Sequence, residues 1–300
     1  MAAPKTNKEK VIKISVEGHI SNPESRGVHG FDADGKLFLT PGTGGIVYNV
    51  QVGDSAFGWA GDHIEPCVST LADGKNRESP QNRAYNLYSC TGNEALIVSG
   101  DAKDTKGVVL GHHGGAEHVI IQFPIASLEK MTLDTKILVK GYGQGLELTE
   151  YEDIKVYNLD PGLIEKWGIE DNPQKGIKVP VTKIIPGELM GSGVGSVDVG
   201  TGDYDIMTAD TDYIRELGLD ELRFGDFVAI ENHDNRYGRC FRKGSVTIGI
   251  VIHSDCKWSG HGPGITTLLS THKTGLIEYF IDPGANLGRI LKIGRFEEIL

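Results

Sequence analysis

Seven short runs rich in β-branched residues, KVIKISV, GIVYNVQV, EALIVSG, HVIIQF, TKILVKG, DFVAI and SVTIGIVI, recur along the chain, separated by turns bearing glycine and aspartate. Runs this short, built from side chains that fit a pleated surface, read as strands. The 41 glycines supply the turns between them. Helix signals are few. In DPGLIEKWG, Asp160 is a cap, Pro161 occupies the first helical position and Gly168 lies just past the end. In DTDYIRELG, Asp210 or Asp212 caps and Gly218 stops the helix. The pattern predicts an α+β, β-dominated protein of barrel or sandwich type with a few short helices.

At 300 residues and 39% hydrophobic content the chain can bury a substantial core, as two domains or one large β-rich one. The strand pattern breaks between Glu147 and Lys178. A boundary there gives a polar N-terminal tail over residues 1–10, an N-terminal β-rich domain over 11–155 and a C-terminal β-rich domain over 156–300. No stretch approaches the ~18 unbroken apolar residues of a membrane span, and no apolar segment follows the polar start MAAPKTNKEK, so a cytoplasmic protein without a membrane partner is expected. The four cysteines have no C-x-x-C spacing, which argues against a zinc ribbon, a thioredoxin-type motif or a disulfide framework and predicts free buried thiols. A net charge of −11 repels a phosphate backbone, and the basic cluster Arg236, Arg239, Arg242 and Lys243 is too short for a nucleic-acid stripe. It can instead hold an anionic substrate or form a solvated hairpin tip. The charge and the glycine-rich edges are compatible with a homo-oligomer.

The two halves echo each other. VGDSAFGWAGDH reads as a Gly53-Asp54 turn, a strand and then Asp62-His63. FGDFVAIENHD reads as Gly225-Asp226, a strand and then His233-Asp234. This order suggests a duplicated half-barrel, although Gly-Asp before a strand is common turn chemistry.

The chemistry gathers where apolar runs end. GVVLGHHGGAEHVIIQF sets His112, His113, Glu117 and His118 on or beside a glycine-bearing connection, an expected loop site. The spacing H-x-x-x-E-H differs from H-E-x-x-H and H-x-x-E-H, and the paired glycines oppose the helix those motifs require, so a metalloprotease is excluded. Two imidazoles and a carboxylate still form a donor set suited to Zn, Mn or Fe; the bland reading is that such histidines only bond the backbone. GWAGDHIEP adds His63 and Glu65, which share a face if the segment is a strand. VIHSDCKWSGHGPG adds His253, Asp255, Cys256 and His261.

Other motifs lead nowhere. MGSGVGS is followed by an extended, acidic stretch where a dinucleotide fingerprint needs a helix, and no Walker lysine is present. GPGITTLLS is read as a plain turn, or as the start of a short helix at Gly264 offering N–H groups to an anion. Covalent catalysis by Cys67, Cys256, Ser254 or Ser259 ranks below metal or acid/base chemistry, because sequence neighbours are seldom the members of a triad.

The stretches VGDSAFGWAGDHIEPCVS, GDAKDTKGVVLGHHGGAEHVIIQFP, PGELMGSGVGS, GDYDIMTAD and RKGSVTIGIVIHSDCKWSGHGPGITTLLS resemble signature segments of a bacterial two-domain family of unknown function (domain of unknown function 4438), over most of the chain from Val11 onward. The resemblance implies two β-rich domains and carries no reaction. A second similarity, in the strand ends rich in Gly, Asp and His, is to acetamidase/formamidase-type amide hydrolases. It is an analogy of fold, with no residue of that family transferred to a position here.

The resulting expectation is a metal-dependent hydrolase of a C–N bond in a small amide or cyclic amide. His63, Glu65, His113 and His118 would hold a divalent Zn, Mn or Fe, with Glu117 as base on the attacking water. His253 and Asp255 are further catalytic candidates, forming a rival centre with His261. Asp234, Arg239 and His261 would bind the substrate's polar end. Two other classes stay open: a small-molecule-binding or assembly protein with structural histidines, and a metal-free isomerase or lyase using His and Asp as acid and base.

Overall fold

The computed structural model of the protein describes residues 2–25 and 27–298. Strands β1 (Lys13–Ile20), β2 (His29–Phe31), β3 (Leu37–Leu39), β4 (Ile46–Val47), β5 (Cys67–Leu71), β6 (Glu94–Ile97), β7 (Lys106–His113), β8 (His118–Gln122) and β9 (Lys136–Tyr142) make up the first half. Six of them close a barrel in the order β1-β9-β6-β7-β8-β5 and back to β1, while β4 pairs with the start of β5 and β2–β3 form a separate hairpin. Closure leaves these strands no unpaired edge, and alternation fills the interior. In β9, Ile137 and Val139 point in among Val109, Val119 and Ile121, while Lys136 and Lys140 stay in water.

The second half contains β10 (Lys155–Val156), β11 (Glu170–Asn172), β12 (Gly176–Val181), β13 (Lys183–Ile185), β14 (Asp203–Asp205), β15 (Phe227–Asp234), β16 (Cys240–Val251), β17 (Gly264–Thr271) and β18 (Ile277–Ile281). One sheet runs β10-β17-β16-β15-β13 with β14 added to β17, and a smaller one runs β11-β12-β18. The helices are α1 (Pro80–Tyr88), α2 (Ile125–Leu128), α3 (Pro161–Trp167), α4 (Thr211–Glu216) and α5 (Leu287–Leu291). Among the described residues no helix is long and apolar enough to cross a membrane. The protein is therefore β-dominated α+β, with a closed barrel as its first element.

Local chemistry explains the helix ends. Asp160 accepts from the Gly162 amide at 2.7 Å, and Gly168 takes the left-handed φ of 88° that ends α3. Asp210, rather than Asp212, caps α4 through the Tyr213 amide. Three segments depart from expectation, the first being GIVYNVQV, of which only Ile46–Val47 is strand. Ser55–Ala60 is a run of bends with one isolated bridge, Ser55 to Arg223, where a strand was expected, because the Ser55 hydroxyl takes the Phe57 amide and the Ser55 carbonyl takes the Trp59 indole, bonds that compete with a ladder. The proposed repeat of elements is absent there. Gly264–Thr271 is a buried strand rather than a turn or helix start; its β-branched Ile265, Thr266 and Thr267 favour the sheet.

The two halves share one core. Leu110 and Ile120 on the outside of the barrel pack with Ile248, Ile250 and Leu268 of the second sheet and with Ile252 just past β16, each worth about 1.5–3 kcal/mol when fully buried. A bulge at Leu110 makes this possible. Val109 pairs with Ile121 and Gly111 with Ile120, so one extra residue reverses the alternation of β7 and turns Gly111 and His113 toward the second half. Gly111 has to be glycine: a Cβ would lie 2.6 Å from Ile252 and 2.7 Å from Thr266. Thr266 Oγ1 then accepts from the His112 amide at 3.0 Å and donates to the His112 carbonyl at 3.1 Å, fixing the seam.

Candidate metal and substrate site

At this seam the ends of several strands converge. His113 ends β7 and faces His118, its cross-strand partner at the start of β8. The four-residue turn between them holds Gly115 at φ 73° and Glu117 at φ 59°. His63 lies on a bend with φ 50°, a left-handed conformation that β-carbon sterics disfavour, so the condition under which it would share a strand face with Glu65 is not met. From the other half, Asp203 and Asp205 stand two apart on β14 and so share a face, paired with Thr266 and Gly264 of β17. His253 follows β16, and His261 lies in the connection to β17.

Four imidazoles and two carboxylates meet there. The His113 ring centre lies 4.4 Å from that of His253 and 5.4 Å from that of His63, and His63 lies 4.7 Å from His253 and 5.3 Å from His261. His253 Nε2 approaches Asp203 Oδ2 at 2.9 Å and Asp205 Oδ1 at 3.5 Å, His261 Nδ1 meets Asp205 Oδ2 at 2.8 Å, and His63 Nε2 is 3.7 Å from the same oxygen. The trios His63–His113–His253 and Asp203–Asp205–His253 each offer donor atoms within 4.8 Å of one another, as does His63–Cys256–His261. Gly264 leaves the room: a Cβ on it would lie 2.2 Å from both Asp203 Oδ2 and His253 Nε2.

A buried second layer sets which ring nitrogens face the centre. Glu65 is fully buried; its Oε1 bonds His113 Nδ1 at 2.5 Å, both its oxygens lie 3.0 Å from His118 Nδ1, and its Oε2 accepts from the Gly44 amide and the Ser69 hydroxyl. With Nδ1 donating to this carboxylate, His113 keeps Nε2 as a lone-pair donor, the arrangement by which a carboxylate orients a metal-binding histidine. The His253 Nδ1 likewise donates to the Ser254 carbonyl at 2.8 Å, freeing Nε2. Yet His253 Nε2 and Asp203 Oδ2, facing each other and both buried, make no hydrogen bond of proper geometry. Buried polar atoms without partners are rare, and two lone pairs turned on one another beside further donors fit a cation. The nitrogen and oxygen donor set suits Zn, Mn or Fe.

Without a cation, a proton on His253 offsets the aspartates in its place. Burial works against charge on His253, but Asp203 and Asp205 more than offset it and hold the ring well above its ordinary pKa. Burial opposes ionisation of Asp205 too, yet His253, His261 and His63 keep it well below the carboxylate range. Glu65 resists its burial in the same way through His118 and His113. Burial, reinforced by the neighbouring His253 charge, lowers His113. The centre opens into a cavity of about 980 Å³ whose wall includes His63, His113, Glu117, Asp203, Asp205, Arg239 and His261. Burial, with Asp198 and Asp203 as lesser causes, raises the Glu117 carboxyl.

The residues singled out in the sequence thus divide three ways. His63, His113, His253 and His261 converge on one centre, and Glu117 and Arg239 line its cavity. Glu65 and His118 stand behind the centre as an orienting pair, since the carboxylate is committed to four partners. Asp234 and Asp255 lie outside the cavity wall. The first is taken by Arg236 at 2.9 Å and Arg242 at 3.1 Å, the second by the Thr208 hydroxyl at 2.5 Å. Sequence reasoning missed Asp203 and Asp205, although GDYDI carries the alternation that puts two carboxylates on one strand face. The cysteines are free, but Cys240 is exposed rather than buried. Burial pushes the Cys67 and Cys90 thiols up to about 12 and raises Cys256 too, which disfavours a thiolate nucleophile.

Comparisons with known proteins agree with two consecutive units. The N-terminal part of a family described as a domain of unknown function (DUF4438) matches residues 29–165, and its C-terminal part matches 166–291, the division falling within α3. The crystal structure of a protein designated TM1086 is similar at a TM-score of 0.89 and 43% identity, covering 96% of this chain and 99% of that one. A comparison with curated proteins found no match.

Proposed function

This chain belongs to the DUF4438 family, and we propose that it is a metal-dependent hydrolase acting on a C–N bond of a small amide or cyclic amide. The observation that carries the reading is the buried pair at the seam, His253 Nε2 and Asp203 Oδ2, 2.9 Å apart and with no hydrogen bond to any third group. Asp203, Asp205, His253, His113 and His63 would hold a divalent Zn, Mn or Fe. When bound, such a metal supplies Lewis acidity and brings the pKa of a coordinated water from 15.7 toward about 7.

The chain's own groups supply the rest. Glu65 holds the His113 tautomer. Glu117, raised by burial and lining the cavity, takes a proton from the attacking water and can return it to the departing nitrogen. His261 anchors Nδ1–H on Asp205, so in the neutral ring its Nε2 is the lone pair left to accept from a substrate N–H. The cavity volume suits a small molecule.

The test is a screen of linear and cyclic amides with metal-loaded protein and with protein stripped by chelation. The reading expects turnover only when loaded, and loss of turnover in Glu117→Gln with metal content unchanged. Turnover that survives chelation would replace it with metal-free acid/base chemistry. Stabilisation by an amide without its consumption would replace it with a binding protein.

A further inference from the structure

Arg239 is 2% exposed, yet it has no carboxylate partner among the described residues. Its Nη2 donates to the Asp198 carbonyl at 3.2 Å and the Gly202 carbonyl at 2.8 Å, its Nε has no acceptor, and its guanidinium lies over the Tyr204 ring at 5.3 Å. The neighbouring Arg236 and Arg242 are both paired with Asp234. Its backbone is pinned on both sides: Arg239 N–H donates to the Ser196 carbonyl, and its carbonyl accepts from the Gly195 amide. A guanidinium fixed in this way and denied a counter-ion is costly unless an anion completes it. Arg239 forms part of the wall of the cavity that contains Asp203 and Asp205. With a cation held between those two aspartates, their charge is neutralised at the centre, and none is left for Arg239.

We propose that Arg239 binds a carboxylate of the substrate, which is therefore a small amide or cyclic amide bearing a carboxylate, its carbonyl at the metal centre and its acid on the guanidinium. The planar fork of arginine matches a carboxylate in geometry and charge. This assignment rests on the hydrolase reading for the role of the carbonyl, but not for the anion site itself.

Matched probes test it: 5-oxoproline against 2-pyrrolidinone, and N-acetylglycine against N-methylacetamide, each measured by thermal shift and titration calorimetry on metal-loaded and chelated protein. At least one carboxylate probe should bind the wild type, and its neutral twin should bind at least about 30-fold more weakly, the least expected when one partner of a buried charge pair is removed. Arg239→Gln should lose that preference. Arg239→Lys, which keeps the charge and guards against misfolding of the first variant, should bind the carboxylate at intermediate strength and still prefer it. Equal binding of acid and neutral probes, no binding of either carboxylate, or a preference that survives in Arg239→Gln would overturn the assignment. Carboxylate binding that depends on Arg239 in a protein without amide turnover would leave it standing while the hydrolase reading falls. Turnover of neutral amides indifferent to Arg239 would do the reverse.

Discussion

Glu65→Gln changes one atom of a fully buried side chain, and its consequence can be worked through partner by partner. Oε2 accepts from the Gly44 amide at 2.9 Å and from Ser69, Oε1 serves His113 Nδ1, and His118 Nδ1 lies 3.0 Å from both oxygens, so it keeps an acceptor in Oε2. A glutamine that turned its NH₂ toward Gly44 would set donor against donor and strand a buried amide at about 1–3 kcal/mol. The favoured orientation therefore keeps oxygen on Gly44 and presents NH₂ to His113. The His113 Nδ1 must then accept, its proton moves to Nε2, and the nitrogen facing the centre ceases to be a ligand. Loss of such an orienting partner lowers metal affinity about 10–100-fold, or about 1.4–2.7 kcal/mol. Competitive titration against a fluorescent chelator gives that ratio, and chemical denaturation of the chelated protein gives the folding cost separately. Wild-type metal affinity in folded Glu65→Gln would refute the tautomer argument.

Three further outcomes follow from the same geometry. Gly264→Ala places a methyl against Asp203 and His253; overpacking should lower stability by about 1–3 kcal/mol and reduce metal retention, both measured on one preparation by denaturation and elemental analysis. A thiol reagent on the native protein should modify Cys240 alone, with Cys67, Cys90 and Cys256 reacting only after unfolding; peptide mapping reads this directly, and rapid native labelling of Cys256 would contradict its burial. Metal uptake should release protons and weaken as pH falls, because imidazole ligands bind only when neutral; calorimetry in buffers of different ionisation enthalpy counts the protons, and a pH-independent affinity would exclude histidine ligands.

What the sequence made legible was local. The cap, proline and glycine around α3 lie within nine residues and specify that helix without outside help. The same signal, Ser79-Pro80, starts α1, where Ser79 accepts from the Asn82 amide, and it was readable on the same terms. His113 and His118 were visible because a hairpin keeps its partners close in sequence. The centre itself was not, since it joins positions 63, 113, 203, 205, 253 and 261 through a bulge at Leu110 and the pairing of β14 with β17. Neighbourhood in sequence misled for Asp234 and Asp255, whose carboxylates are satisfied by Arg236, Arg242 and Thr208. Glu65 had the right neighbours but acts differently from a ligand, because burial and four hydrogen-bond partners make it an orienter.

The most direct measurement is the metal content of untagged protein purified without chelators, compared by elemental analysis with Asp203→Asn, His253→Ala and the exposed Cys240→Ser. The account predicts about one equivalent of a transition metal in the wild type and in Cys240→Ser, and its loss in both seam variants while they remain folded. A folded wild type without transition metal, or seam variants that keep it in full, would contradict the central claim that His253 and Asp203 face a cation.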